Sequence, residues 1–266
     1  GFFEFNLDNK KIFFLNSRNA IANDIFYSGI FGNYEGKTLY LWYKFSKILD
    51  GCFLDIGAYS GIFSLVAGAG NQNAEIYAYE PHPNNFQLLS TNVEKNNFDN
   101  IYINNYGLLD KDGELEFYND GDNPSGFSYV KHKNIDNNTL TSKCTVMSIK
   151  KLLQNDFAHK KVSLVKLDAE RAEIIIIRDA IERLAEDKAI IFCEILGEDI
   201  DANIYVDFGN LFKKYGYICH NIDDTNNRVV CVENIGMIKC NPVGRNWIFI
   251  PQNLEKIKEI KNLLNN

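Results

Sequence analysis

From Phe53 to Glu80 the chain runs through an apolar strand, a glycine-bearing turn, a helix, a second strand and an acid, and few folds accept that order. Phe53-Leu54 ends a buried strand, and Asp55-Ile56-Gly57-Ala58-Tyr59-Ser60-Gly61 follows it. Gly57 and Gly61 let the backbone turn tightly and approach a ligand where a Cβ would clash. Ile62-Phe63-Ser64-Leu65-Val66-Ala67 then opens a helix whose first N–H groups point at the same spot. Ile76-Tyr77-Ala78-Tyr79 reads as the next strand, with Glu80 at its carboxyl end, where an acid accepts both hydroxyls of a ribose.

The ligand this order suits is an adenosine-containing cofactor. A dinucleotide site needs G-x-G-x-x-G, whose second glycine makes room for a pyrophosphate. Here the run is one glycine short and differently spaced. The Asp before the first glycine and the Glu80-Pro81 pair point instead to S-adenosylmethionine, which carries no phosphate. The plainer reading is a solvent-exposed strand-to-helix turn, with Asp55 capping a helix and Glu80 a surface charge.

A chain of 266 residues buries a full core as one large domain, or as a domain with an appendage. With 45% hydrophobic and 24% charged residues it is globular rather than disordered. A net charge of −7 argues against a protein that grips a nucleic-acid backbone, which needs clustered Lys and Arg. The six cysteines show no CxxC pair and no zinc-like spacing, and most sit in apolar runs such as Ile191-Phe192-Cys193. They read as small buried hydrophobes in a reducing cytoplasm. No apolar run approaches the roughly 20 residues of a membrane span. The chain opens on Gly1 without Met or signal peptide, so a piece cut from a longer protein is expected.

Three parts are expected along the chain: a cap segment over 1–50, an α/β domain over 51–252 and a C-terminal helix over 253–266. The cap is aromatic-rich and irregular, with short strands at Phe2–Phe5 and Lys11–Leu15 and a helix around Thr38–Phe45. From Gly51 onward β and α patterns alternate, as a mostly parallel sheet with helices on both faces requires. Strands are predicted near 52–56, 75–79, 101–105, 163–168, 189–195 and 216–220, and helices near 61–69, 83–96, 173–185 and 204–214. An insertion over 106–147 breaks the alternation, with a hairpin arm at Gly113–Tyr118 and a long loop from Asp120 to Gly126. It would lie over the carboxyl ends of the strands, where ligands bind in such sheets.

A second constellation is Val165-Lys166-Leu167-Asp168-Ala169-Glu170-Arg171-Ala172-Glu173, the end of a core strand and the start of a helix. Asp168 and Glu170 fall at the strand's carboxyl end, and Glu194 closes the next strand. Three acids there suit proton abstraction and substrate orientation, and leave room for a divalent cation without requiring one. Glu170 and Glu173 also fit as helix N-terminal acids.

Taken with Tyr79-Glu80-Pro81-His82-Pro83-Asn84-Asn85-Phe86, these motifs make the chain resemble the FkbM family of S-adenosylmethionine-dependent methyltransferases, over roughly residues 30–252. The resemblance implies a Rossmann-like class I methyltransferase fold and O-methylation of sugars or other hydroxylated metabolites. It implies that Asp55, Gly57, Ala58, Tyr59 and Gly61 cradle the methionine part of the cofactor. Glu80 would hold the ribose with Pro81 and His82 beside it, Asn105, Tyr106 and Gly107 would flank the adenine, and Tyr34 with Glu35 would close the pocket. One departure stands out: Arg171 occupies a position where the family has Gly, and its Cβ disfavours φ > 0, so a different turn is expected there.

Displacing a neutral thioether asks for alignment, exclusion of water and a base for the hydroxyl proton. Asp168 or Glu194 is the expected base, with Glu170 in support. His82 reads as a cofactor neighbour, His159 as surface and His220 as structural. The acceptor expected is a sugar, nucleotide-sugar or glycan hydroxyl, as in polysaccharide biosynthesis. No metal site, nucleic-acid partner or membrane span is expected, and a homo-oligomer is left open. The competing reading is a non-catalytic Rossmann-like cofactor-binding module or partner subunit.

Overall fold

The computed structural model describes residues 1–120, 123–128, 141–195, 202–233 and 244–264. An antiparallel hairpin comes first, β1 (Phe2–Leu7) on β2 (Lys10–Leu15), closed at Asp8 with φ +49°. Helices α1 (Ala20–Ser28) and α2 (Gly36–Ile48) follow. The segment expected to be irregular is thus largely ordered, and α1 is an addition to the sequence reading. Asn19 caps α1, its Oδ1 accepting from Ala22 N–H at 2.8 Å.

The main sheet contains eight strands. Five run parallel in the order β11 (Ile190–Glu194), β10 (Val162–Leu167), β3 (Cys52–Ile56), β4 (Glu75–Tyr79) and β5 (Ile101–Asn104). β14 (Asn246–Pro251) pairs antiparallel with β11 and with β12 (Tyr217–Asp223), and β13 (Arg228–Val232) forms the edge beyond β12. β3, β10 and β11 are buried along their whole length, which is why they read as unbroken apolar runs rather than alternating ones.

Successive side chains on these strands point to opposite faces and build two cores. Phe53, Leu164, Phe192 and Ile248 pack with Trp42 and Phe45 of α2 and with Leu65 of α3 (Ile62–Gly70). Leu54, Val165, Ile191 and Phe249 pack on the other face against α5 (Ile149–Asn155), α6 (Glu173–Glu186) and α7 (Ala202–Lys214). α4 (Pro83–Asn96) covers the open edge of the hairpin, where Asn96 and Asn92 accept from Phe13 and Leu15 N–H, each at 2.8 Å. α8 (Ile257–Leu264) packs on α2 near the C-terminus. Strand order, parallel core and helices on both faces make this a Rossmann-like class I methyltransferase fold.

The insertion forms a second sheet in the order β6 (Gly107–Leu109), β9 (Thr141–Ser148), β7 (Gly113–Asp120) and β8 (Asn123–Ser128). The hairpin arm expected at Gly113 is β7. Where a loop was expected, Asn123–Ser128 is instead the edge strand β8, a position that tolerates Pro124 because its missing N–H leaves no partner unpaired. His132 and Cys240 lie outside the described residues. Cys52, Cys144, Cys193 and Cys219 are buried free thiols as expected, but Cys231 on edge strand β13 is exposed. Among the described residues, no helix is long and apolar enough to cross a membrane.

Candidate active site

The turn after β3 is fixed by close packing. Gly57 has φ +82°, and a Cβ there would sit 1.7 Å from the carbonyl oxygen of Asp168. Gly57 and Ala58 both donate to Tyr79 O, at 2.9 and 3.0 Å, locking the turn to the end of β4. Gly61, at φ +84°, opens α3 without a side-chain cap. Asp55 compensates from the neighbouring strand, its Oδ2 accepting from Ser64 Oγ at 2.6 Å within the first helical turn. Burial pushes the Asp55 carboxyl up to about 6, against the hydrogen bonds from Ser64.

Glu80 is 5% exposed at the end of β4. Its two oxygens each accept one backbone N–H, from Tyr59 and from His82, both at 2.9 Å. Asn85 adds a side-chain hydrogen bond, which still leaves the carboxylate acceptor capacity for a further donor. Burial raises the carboxyl to about 7, against those hydrogen bonds. Around it, Asn105 Nδ2 donates to Glu80 O at 2.9 Å and His82 Nε2 lies 3.1 Å from Ser142 Oγ on β9. Tyr106 packs on Tyr79 at 5.5 Å between ring centroids, and Gly107 lies against Pro81, where a Cβ would come within 3.3 Å.

On the other side of Tyr59 lies a small cleft, open to solvent. Gly57, Ala58 and Tyr59 line it with Tyr34, Asp55 and Asp168, so these six expected residues come together. Glu80, Pro81, His82, Asn105, Tyr106 and Gly107 form the adjoining group, joined to the cleft through the Tyr59 N–H. Tyr59 is itself anchored, its hydroxyl accepting from Asn19 Nδ2 at 2.7 Å.

The second constellation closes the cleft with charge. Lys166, 1% exposed on β10, places Nζ 3.0 Å from Asp168 Oδ2 and 3.9 Å from Glu35 Oε2. Burial alone would lower the ammonium, but Asp168, Glu35 and Glu194 outweigh it and hold it above the ordinary lysine range. Glu35 starts α2 in a left-handed conformation, φ +41°, and burial raises its carboxyl to about 7 against the pull of Lys166. Glu194 is driven well above the usual carboxylate range by burial and by the charges of Asp168 and Glu35. Thr38, in the first turn of α2, donates through N–H and Oγ1 to Asp224 beyond β12, at 2.8 and 2.9 Å.

Glu170 and Glu194 do not line the cleft, and Glu194 acts on it electrostatically, through Asp168, Lys166, Glu35 and Tyr34. At Arg171 the expected change of turn is absent. Glu170 and Arg171 both take left-handed backbone, φ +48° and +82°, so the arginine occupies a glycine-type conformation. Glu173 Oε1 enforces it by accepting from Ala169 and Arg171 N–H at 2.8 and 3.1 Å.

Sequence reasoning passed over Lys166 and Ser60. The signal for Lys166 was one cation inside the apolar run Val162–Leu167; for Ser60, a hydroxyl between a turn and a buried helix. Ser60 lines the cleft, is 2% exposed and has an Oγ with no hydrogen-bond partner. A buried, unsatisfied donor at a cleft is what a polar cofactor tail would satisfy. A dinucleotide fits worse: where its second glycine would stand, Tyr59 carries a side chain, and its N–H already serves Glu80. The residues present thus fit S-adenosylmethionine. Among the described residues, no three His, Cys, Asp or Glu side chains group to hold a metal ion.

The family model described as the methyltransferase FkbM domain matches residues 55–219. A methyltransferase FkbM from Methylobacillus flagellatus KT shares 13% identity at a TM-score of 0.46, over 76% of this chain and 43% of its own length. A precorrin-6y methyltransferase from Geobacter metallireducens GS-15 shares 13% identity at 0.41, over 81% of this chain and 86% of its own. TYW2 of P. horikoshii in complex with MeSAdo shares 14% at 0.44, over 94% of this chain and 69% of its own. This chain therefore spans less than half the length of the FkbM structure it matches. Among curated proteins, no sequence matches it. The family match covers more than half of the chain, from the turn that holds Asp55 to the strand beyond α7, and the chain belongs to the FkbM family of S-adenosylmethionine-dependent methyltransferases.

Proposed function

We propose that the chain is an O-methyltransferase acting on a hydroxyl of a sugar, nucleotide-sugar or glycan, with Asp168 as the base. The observation that carries this reading is the Asp168 carboxylate, ion-paired with Lys166, facing the same cleft as the Gly57–Ser60 turn. When bound, S-adenosylmethionine supplies a methyl group on a sulfonium and leaves as a neutral thioether. Glu80 accepts the ribose hydroxyls with its remaining lone pairs. Asn105, Tyr106 and Gly107 flank the adenine, and Asp55, Gly57, Ala58, Tyr59, Ser60 and Gly61 hold the methionine part. Tyr34 and Glu35 close the cleft and exclude water, which would otherwise compete with the acceptor. Asp168 takes the acceptor's hydroxyl proton, and beside it burial and the Asp168 and Glu35 charges hold the Glu194 carboxyl well above the usual carboxylate range.

On this reading 51–252 is the catalytic domain, while the cap over 1–50, the insertion over 106–147 and the final helix over 253–266 shape or support the acceptor side. The buried free thiols suit a reducing, cytoplasmic setting. The competing idea of a non-catalytic module drew on Arg171, and with the turn kept in glycine-type backbone that support falls away.

The test is calorimetric titration with S-adenosylmethionine, S-adenosylhomocysteine and NAD, then methyl transfer to a panel of sugars and nucleotide-sugars. Micromolar binding of the two adenosyl ligands but not NAD is expected. Asp168→Asn should keep that binding and lose about 10²–10⁴ in turnover. Near-normal turnover by the Asn variant removes Asp168 from the role, and methylation of amines alone removes the hydroxyl acceptor.

A further inference from the structure

We propose that Lys166 is the positioning residue of this site: its ammonium holds Asp168 in the orientation from which it takes the acceptor's proton, with Glu35 as a second anchor. The inference rests on Asp168 being the base.

Lys166 is the one charged side chain in β10, which lies between β3 and β11 in the middle of the sheet. Its backbone is paired with Asp55 on one side and Phe192 on the other. Its chain runs beneath the cleft, with Nζ 4.8 Å from the centre of the Phe63 ring. Three elements therefore meet at one ammonium: β10, the turn carrying Asp168 and the start of α2 carrying Glu35. Apolar side chains of similar volume commonly replace buried ion pairs at no loss of stability, so stability alone is a weak reason for a lysine here. A fixed carboxylate is a better one, because a misplacement of about 1 Å costs a reaction of this kind about a hundredfold. Lys166 cannot itself be the base, since the surrounding carboxylates keep its ammonium protonated.

The experiment uses the full chain carrying Lys166→Met, Asp168→Asn and both together. Lys166→Met should lower kcat by about tenfold to a hundredfold and leave the Kd for S-adenosylmethionine within about threefold. In the Asp168→Asn background the same change should cost nothing further, because a residue acting through Asp168 has nothing left to position. Losses that multiply in the double variant, or a single variant that keeps its kcat, overturn the proposal. If Asp168→Asn is itself near normal, the base assignment and this inference fall together; if only Lys166→Met is, this inference falls alone. Should Lys166→Met not fold, Lys166→Gln, which retains a donor to Asp168, enters the same cycle. Failure of both to fold makes the lysine a structural ion partner and overturns the proposal.

Discussion

Each end of the parallel sheet carries a lysine paired with an acid. At the amino end Lys160 Nζ donates to Glu75 Oε2 at 2.7 Å and to the Tyr77 hydroxyl, while Cys52 Sγ donates to the same Glu75 oxygen at 3.5 Å. The lysine and the acid there are 37% and 40% exposed, and all the polar ends are paired with one another. At the carboxyl end Lys166 is 1% exposed, its acids outnumber it, and Glu35, Tyr59, Glu170 and Arg171 hold left-handed backbone nearby. The first pair is a surface staple, worth little because water competes with it. In the second the lysine is buried and its acids outnumber it, conditions that suit chemistry and oppose stability.

The sharpest way to break this contrast is Gly57→Ala. With the added carbon 1.7 Å from Asp168 O, backbone must move, and a loss of roughly 3–5 kcal/mol or outright failure to fold is expected in urea titration. A well-folded Ala variant would mean that the carboxyl end is far looser than its packing.

Next comes pH. Glu35, Glu80 and Glu173 are raised to about 7 and Asp55 to about 6, burial being the largest cause in each case. The folded state holds these protons more tightly than the unfolded chain, so stability is full below their unfolded values and is lost as pH climbs toward 7. His220, lowered to about 4 by burial, pulls the other way between 4 and 6.5, and His82 is lowered too, but Glu194 is raised with the four acids, so two groups stand against five. The melting temperature should fall from pH 5.5 to pH 8 by the equivalent of a few kcal/mol. A rise would show that the buried acids are better solvated than their packing implies.

Arg171→Gly tests the strained turn. Relief of about 1–2 kcal/mol of left-handed backbone energy, less about 0.4–1 kcal/mol of added unfolded-chain entropy, predicts a net gain of about 0.5–1 kcal/mol. A drop in stability would show that the arginine side chain contributes more than its backbone costs. The smallest effect belongs to the amino end, where Lys160→Met should change stability by less than about 1 kcal/mol and leave methyl transfer untouched. Lost activity there would erase the distinction between the two ends.

These differences also explain what could be read in advance. β3, β10 and β11 were legible because burial on both faces leaves continuous apolar runs, and Glu80 because its place at a strand end follows from that order. α1 was not, since Ala20–Ser28 carries no marked apolar stripe and its clearest signal was the Asn19 cap. β8 was hidden by Pro124 and Gly126, which mark loops unless a strand lies at an edge. The contact of Lys166 with Glu35 was out of reach because the fold brings Glu35 from far upstream to within 3.9 Å of Nζ. Pattern reading resolves what neighbours in sequence decide, and the charge cluster is decided by neighbours in space.

The bond between Thr38 and Asp224 joins positions 186 residues apart, and that separation sets a timetable. During synthesis the N-terminal segments emerge first, and non-local contacts must wait for both partners. α2 leaves the ribosome before β12, so the bonds from its leading turn to Asp224 wait until β12 and the turn after it have followed. Neither partner lies within 55–219, so a fragment trimmed to the matched span would lack α2 and both ends of the latch. Thr38 and Asp224 thus meet only after everything between them, the cleft residues from Asp55 to Asp168 included, has been made.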